Sequence, residues 1–124
     1  PTRHYAKARR KAYDWVVAGI RSSVVKGACR AANRADYLVC GKTGTAQNPR
    51  GADNSVFICF APKDNPKIAV AAYIENAGFG ATWAAPIASL LVEKYLNGEI
   101  SDQRRGLEDR VLQGNLMSRV KAYK

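Results

Sequence analysis

The sequence predicts an α+β fold: a helix, three antiparallel strands, a second helix and a charged tail. Apolar residues recur at three- and four-residue steps near both ends of the chain, while the middle holds short β-favouring runs. The loops between those runs are too short for the crossover that parallel pairing requires, so neighbouring strands must run antiparallel. The runs are also apolar on both faces, which calls for cover from both sides, and the chain supplies few helices to give it. The architecture therefore reads as part of a larger layered unit.

Residues 6–26 read as the first helix, with Tyr13, Val16, Val17, Ile20 and Val24 on one face and Gly27 as its stop. A small-residue linker over 28–33 follows. The first strand is expected over 37–45, ending in glycine-rich turn chemistry, and Asn48-Pro49-Arg50-Gly51 opens a loop. Val56-Phe57-Ile58-Cys59-Phe60, closed by Ala61-Pro62, is the second strand. Asp64-Asn65-Pro66 turns the chain into a third, Ile68-Ala69-Val70-Ala71-Ala72-Tyr73-Ile74. Trp83, Ile87, Leu90, Leu91 and Tyr95 mark the second helix, which tolerates Pro86 in its first turn and is capped by Asn97-Gly98. Residues 1–97 thus form the folded part. Residues 98–124 form a charged basic tail, whose Leu107, Val111, Leu112, Leu116 and Val120 give a weak helical pattern interrupted by Gly106 and Gly114.

The chain has 124 residues and a net charge of +10, enough length for one modest domain. Lys7, Arg9, Arg10 and Lys11 with Arg3 crowd the start, and Arg104, Arg105, Arg110, Arg119, Lys121 and Lys124 load the end. This balance suits an anionic partner. No aromatic–basic interleaving marks a base-stacking surface, so solvated faces explain it better and no nucleic acid is expected. Cys29, Cys40 and Cys59 are an odd count without metal-type spacing, and lone His4 has no triad partner, so neither a metal nor a cofactor is expected. Asp14, Glu75 and Glu93 show no pairing that would suit general acid–base work. No apolar run approaches the roughly 20 residues that span a membrane, and the start lacks the ordered regions of a signal peptide. Pro1 in place of a methionine fits a processed chain or a piece of a longer one.

The chemistry concentrates in Gly41-Lys42-Thr43-Gly44-Thr45. Such a stretch suits a phosphate cradle, a tight turn or a substrate-binding strand edge. A phosphate loop needs glycine five residues before the Gly-Lys-Thr and a helix after it. Position 36 is Asp36 and loop residues follow, so that reading fails. Ser23-Val24-Val25-Lys26 fits the Ser-x-x-Lys pattern of acyl-transferring enzymes. It lies at a helix C-terminus, the wrong dipole end for a developing anion, and a plain helix face is expected. As a strand edge, Lys42 offers a point charge, Gly44 lets a ligand lie against the backbone, and Thr45 offers a hydroxyl and an N–H. A glycine-rich turn with an incidental lysine remains the competing reading, and a small basic module for nucleic acid or an acidic polymer is the alternative function.

Gly41-Lys42-Thr43-Gly44-Thr45-Ala46-Gln47 resembles the Lys-Thr-Gly-Thr motif of the penicillin-binding transpeptidases. Gly27-Ala28-Cys29 resembles that family's Gly-Thr-Ala-like turn, with Ala28 in place of the usual threonine. Phe57-Ile58-Cys59-Phe60-Ala61-Pro62, Lys67-Ile68-Ala69-Val70-Ala71, Glu75-Asn76-Ala77-Gly78 and Ala84-Ala85-Pro86-Ile87-Ala88 resemble its later strands, loop and final helix. The ordered set spans roughly residues 10–97 and is most similar to the penicillin-binding protein 2 branch of class B enzymes. The resemblance implies a partial penicillin-binding/serine β-lactamase-like fold and a D,D-transpeptidase that cross-links peptidoglycan stem peptides and is acylated by β-lactams. It implies that Lys42 draws the substrate carboxylate and supports the hydroxyl network. Thr43 and Thr45 would bind that carboxylate, Gly44 would keep the groove open, and the Thr45 N–H would complete an oxyanion hole. The partners implied are the D-Ala-D-Ala stem peptide and β-lactams, on the periplasmic side of the bacterial inner membrane, with any membrane anchor outside this chain. The family's Ser-x-Asn motif occurs nowhere in this sequence, and Ser-x-x-Lys occurs at Ser23–Lys26, where a helix face is expected, and at Ser118–Lys121 in the basic tail, downstream of the lysine motif. The chain alone is therefore expected to be inactive, and its open sheet edge and bare face invite self-association.

Overall fold

The computed structural model describes residue 2 and residues 4–117. Expectations that fall on Pro1, Arg3, Arg119, Val120, Lys121 and Lys124 lie outside the described residues.

Helix α1 spans Arg10–Val25, strands β1, β2 and β3 span Cys40–Ala46, Asn54–Ala61 and Ile68–Ile74, and helix α2 spans Ala84–Asn97. A shorter helix, α3, covers Arg105–Leu112. The strands form one antiparallel sheet in the order β1-β2-β3. This is the α+β arrangement expected from the hydrophobic pattern.

The register sorts the side chains onto two faces. Gly41, Thr43 and Thr45 stand opposite Cys59, Phe57 and Ser55, while Lys42 and Gly44 stand opposite Ile58 and Val56. Phe57, Cys59 and Ala61 belong to the buried core with Ala72 of β3, Ala84, Ala85, Ala88 and Val92 of α2, and Val24 at the end of α1. The small alanines of α2 let the helix lie close over the aromatic ring of Phe57. The opposite face is bare: Ile58 and Tyr73 are each 57% exposed, and Ala69 and Ala71 are exposed beside them. The sequence asked for two-sided cover, and the described residues provide one side of it.

Several boundaries differ from the sequence expectation, each for a local reason. The first helix begins at Arg10, because Arg9 is extended and offers no side-chain cap. Its stripe is covered only toward its end: Val24 is fully buried, but Tyr13 and Val16 are 42% and 61% exposed. Strand β1 begins at Cys40, three residues late. The Leu38 carbonyl accepts from Lys63 N at 2.7 Å and the Val39 carbonyl accepts from Arg21 Nη1 at 2.7 Å, so both are spent off the ladder. Gly106 lies within α3 rather than interrupting it. Helix α2 ends as expected, with Gly98 left-handed at φ 81°.

Candidate functional site

Strand β1 lies at the rim of the sheet and carries the Gly-Lys-Thr-Gly-Thr stretch along its length. Lys42 and Thr45 are exposed, and Thr43 and Gly44 are half-buried. The four residues singled out from the sequence are therefore brought together on one accessible strand. The Lys42 ammonium donates to the Thr43 carbonyl at 2.8 Å. In an extended strand the N–H and C=O of a residue point to one side, and residues two apart share it. The Thr45 N–H therefore points the same way as the Thr43 carbonyl that holds the lysine charge.

Lys42 stands between two hollows. One, of about 360 Å³, is lined by Ile20, Ile58, Phe60 and Ala71 on the bare face. The other, of about 500 Å³, runs along α1 past Gly19, Ser22, Ser23 and Gly27. A Cβ built on Gly44 would meet Val56 Cβ at 3.5 Å, an ordinary contact, so the strand surface beside Lys42 is unobstructed. Thr43 is addressed from the covered side instead. The fully buried Cys29 thiol donates to Thr43 Oγ1 at 3.7 Å, and Ser23 Oγ lies 3.1 Å from the same sulfur. Ser23 sits at the C-terminal end of α1, the helix end on which the sequence placed its tetrad, and faces the Cys29 thiol.

The loop that closes over this strand depends on a close approach. A Cβ on Gly80 would run into the carbonyl oxygens of Val56 and Gly44 and come within 3.1 Å of Thr43 Cβ. Only glycine lets residues 79–83 lie against the strand there. Ser55 holds the same loop: its hydroxyl donates to the Phe79 carbonyl at 3.0 Å and accepts the Ala84 N–H at 3.1 Å. That second bond satisfies an orphan donor at the start of α2, which has no capping side chain of its own. At the strand's far end Asn54 Oδ1 accepts the Asn76 N–H at 3.0 Å, and Asn48 Nδ2 donates to Asn76 Oδ1 at 3.0 Å.

Glu93, which showed no pairing in the sequence, is the centre of a buried ionic cluster. Its carboxylate is fully buried and meets Arg34 Nη2 at 3.0 Å and Arg104 Nη1 at 2.8 Å. It also accepts from Ser101 N at 3.2 Å and Ser101 Oγ at 2.8 Å. Burial pushes its carboxyl up, but the Ser101 hydrogen bonds and the charges of Arg104 and Arg34 outweigh this and leave it lowered. Arg34 also clasps Asp36 at 3.0 and 3.1 Å, and that hydrogen bonding holds Asp36 below the usual carboxylate range. Helix α2, the lead into β1 and the segment after Gly98 are thereby tied at one point. No local spacing betrays this cluster, because its members are 59 and 11 residues from Glu93 in sequence (93 − 34 and 104 − 93). Burial pushes the Cys59 thiol up to about 11 and raises Cys40 as well, so both stay protonated. Among the described residues no group of three or more His, Cys, Asp and Glu side chains is placed to hold a metal, and no helix is long and apolar enough to cross a membrane.

This chain has clear relatives. The penicillin binding protein transpeptidase domain matches residues 5–93. The peptidoglycan D,D-transpeptidase MrdA of Haemophilus influenzae is 41% identical over 78 residues, which are 51% of this chain and 12% of that protein. The peptidoglycan D,D-transpeptidase PbpA of Mycobacterium tuberculosis is 33% identical over 104 residues, 73% of this chain and 21% of that protein. Among solved structures, PBP2 of Pseudomonas aeruginosa in complex with WCK 5153 superposes with a TM-score of 0.66 at 33% identity, over 80% of this chain and 23% of that one. Penicillin-binding protein A of M. tuberculosis, a ceftriaxone acyl-enzyme complex, gives 0.56 at 30% identity over 64% and 20%. The chain spans about an eighth to a fifth of the length of these curated relatives (12% and 21%). From the family match, the ordered strands and the Lys-Thr-Gly-Thr rim together, this chain belongs to the penicillin-binding protein transpeptidase domain family.

Proposed function

We propose that this chain forms one wall of the active site of a penicillin-binding protein 2-like peptidoglycan D,D-transpeptidase of the bacterial cell envelope, on its periplasmic side. The observation that carries the reading is the common direction of the Lys42 charge and the Thr45 N–H along an accessible rim strand. A carboxylate and a developing oxyanion are then met from one backbone edge, by a cation, two hydroxyls and an N–H.

In the longer protein a serine outside this chain attacks the carbonyl of the penultimate D-alanine of a stem peptide. A Ser O–C bond forms, the peptide C–N bond breaks, and the terminal D-alanine leaves with a proton on its nitrogen. An amine of a neighbouring stem peptide then attacks the ester and releases the serine. Lys42 attracts the terminal carboxylate and supports the proton network at the serine. Thr43 and Thr45 hydrogen-bond the carboxylate, Gly44 leaves room for the extended peptide, and the Thr45 N–H takes the tetrahedral oxyanion. A β-lactam enters the same way, and its ring opening leaves a stable acyl-serine. The bare face beside Lys42 supports this division, since the nucleophile-bearing remainder of the domain needs an apolar surface to pack on.

The test is covalent labelling of the full-length protein by a penicillin, read by mass. The full-length protein gains one adduct, the isolated chain gains none, and Lys42→Ala in the full-length protein slows acylation by about 100-fold or more, the scale of losing a charge-stabilising group. An adduct on Ser23 of the isolated chain, or wild-type acylation by the Lys42→Ala protein, defeats the reading.

A further inference from the structure

We propose that Cys29 is a positioning residue for Thr43, setting the direction of its hydroxyl through a Ser23–Cys29–Thr43 hydrogen-bond relay. The inference rests on the transpeptidase reading and names how one of its binding groups is prepared. The geometry begins with the end of α1. The Ser23 carbonyl accepts from Gly27 N at 3.1 Å and Cys29 N at 3.2 Å, which curls residues 23–29 into a tight turn. A Cβ on Gly27 would lie 2.9 Å from that carbonyl oxygen and 3.1 Å from Ser23 Cα, so the curl requires glycine. The turn drives the Cys29 side chain fully into the core, beneath β1.

A thiol has one hydrogen. Cys29 gives it to Thr43 Oγ1 at 3.7 Å, so the Ser23 hydroxyl, 3.1 Å from the sulfur, must be the donor in their contact. The relay then runs in one direction, from Ser23 through Cys29 to Thr43. With its oxygen occupied from behind, Thr43 turns its own hydrogen away from the core, toward an acceptor arriving at the open strand. Donors in series polarise one another, which strengthens the last bond of the chain. The acceptor this prepares for is an anion, the carboxylate of the stem peptide or of a β-lactam. The thiol of the relay lies behind Thr43 in the buried core, while Lys42 reaches out from the other face of the strand.

The experiment compares acylation of the full-length protein by benzylpenicillin and by its methyl ester, which lacks the anion. Cys29→Ala lowers the rate with the free acid by about two- to five-fold, the scale of a weak sulfur–oxygen hydrogen bond. The rate with the ester stays unchanged, and Cys29→Ser, which restores a donor, recovers the preference for the acid. Equal losses with acid and ester, or no loss with either, overturn the relay, because a merely structural role does not distinguish the two ligands. Should Cys29→Ala fail to fold, Cys29→Val fills the space without a donor and is read in the same way against Cys29→Ser. A wild-type full-length protein that is acylated by neither compound defeats the transpeptidase reading itself and takes the relay with it.

Discussion

Glu93→Ala removes the centre of the buried ionic cluster. The carboxylate is fully buried and faces two guanidinium groups whose side chains are only 16% and 11% exposed. Its removal strands both cations at once. Breaking a buried pair from one side costs about 3–5 kcal/mol, because the remaining charge has lost its partner. Here the cost falls toward the lower end, since Arg34 keeps Asp36 and Arg104 keeps Ser89 Oγ at 2.8 Å. About 3 kcal/mol in a chain of this size corresponds to a drop in Tm on the order of 10 °C. Glu93→Gln keeps the shape and part of the hydrogen bonding, and costs less, about 1–2 kcal/mol. The assay is urea and thermal unfolding of wild type and both variants. The pH dependence supplies a second reading with a fixed sign. The folded carboxyl is lowered, so its contribution is complete above the unfolded value of roughly 4.3 and is lost as pH falls through the lower folded value. The gap between wild type and Glu93→Gln should therefore be widest near neutrality and close in acid, with Asp36 adding to the wild type's acid sensitivity in the same direction. A loss below about 1 kcal/mol for Glu93→Ala, or a gap that widens in acid, would refute the reasoning.

Two further predictions concern the covered side of the sheet. Gly80→Ala places a methyl against the Val56 and Gly44 carbonyls and Thr43 Cβ; backbone cannot yield cheaply, so a loss of about 1–3 kcal/mol is expected in urea unfolding, with slower penicillin acylation of the full-length protein as the rim strand shifts. Tyr37→Phe should be neutral or slightly stabilising in the same unfolding assay, because the Tyr37 hydroxyl is buried and finds no partner among the described residues. Burial has already pushed that hydroxyl up to about 12, so its loss removes no charge at neutral pH.

The parts of the fold that could be read from the sequence are those fixed by local chemistry. The β-favouring run of β3 is bounded by the Asn65-Pro66 turn and by Asn76, and its extent was legible to the residue. Gly98 announced the end of α2 because a left-handed cap has few alternatives to glycine. The position of residues 41–45 on an accessible edge strand was legible, although their residue types alone left a tight turn open. What stayed hidden depends on groups that meet only after folding. The delay of β1 to Cys40 arises from Arg21 and Lys63, which take the Val39 and Leu38 carbonyls from distant elements. The start of α2 is capped by Ser55 from the neighbouring strand, not by its own flanking residue. Glu93 read as one charged residue among many on a helix, since nothing in its immediate sequence points to Arg34 or Arg104. The Tyr13 and Val16 part of the first helix misled in the other direction: its spacing promised burial, and no described element covers it.

The register of the sheet explains why a strand, rather than a helix or loop, carries this motif. Successive residues of a strand alternate between faces, so Lys42 and Thr43 answer to different surroundings although they are neighbours. Thr43 is held from the side where Phe57, Cys29 and α2 form a packed core, and its geometry inherits the stiffness of that core. Lys42 stands on the bare side, where Ile58 and Tyr73 are open, and its surroundings are fixed by whatever packs there. Mutations in the core should therefore disturb Thr43 while leaving the reach of Lys42 intact, and changes on the bare face should do the reverse. One strand thereby serves two layers, held rigidly by the first and open to the second.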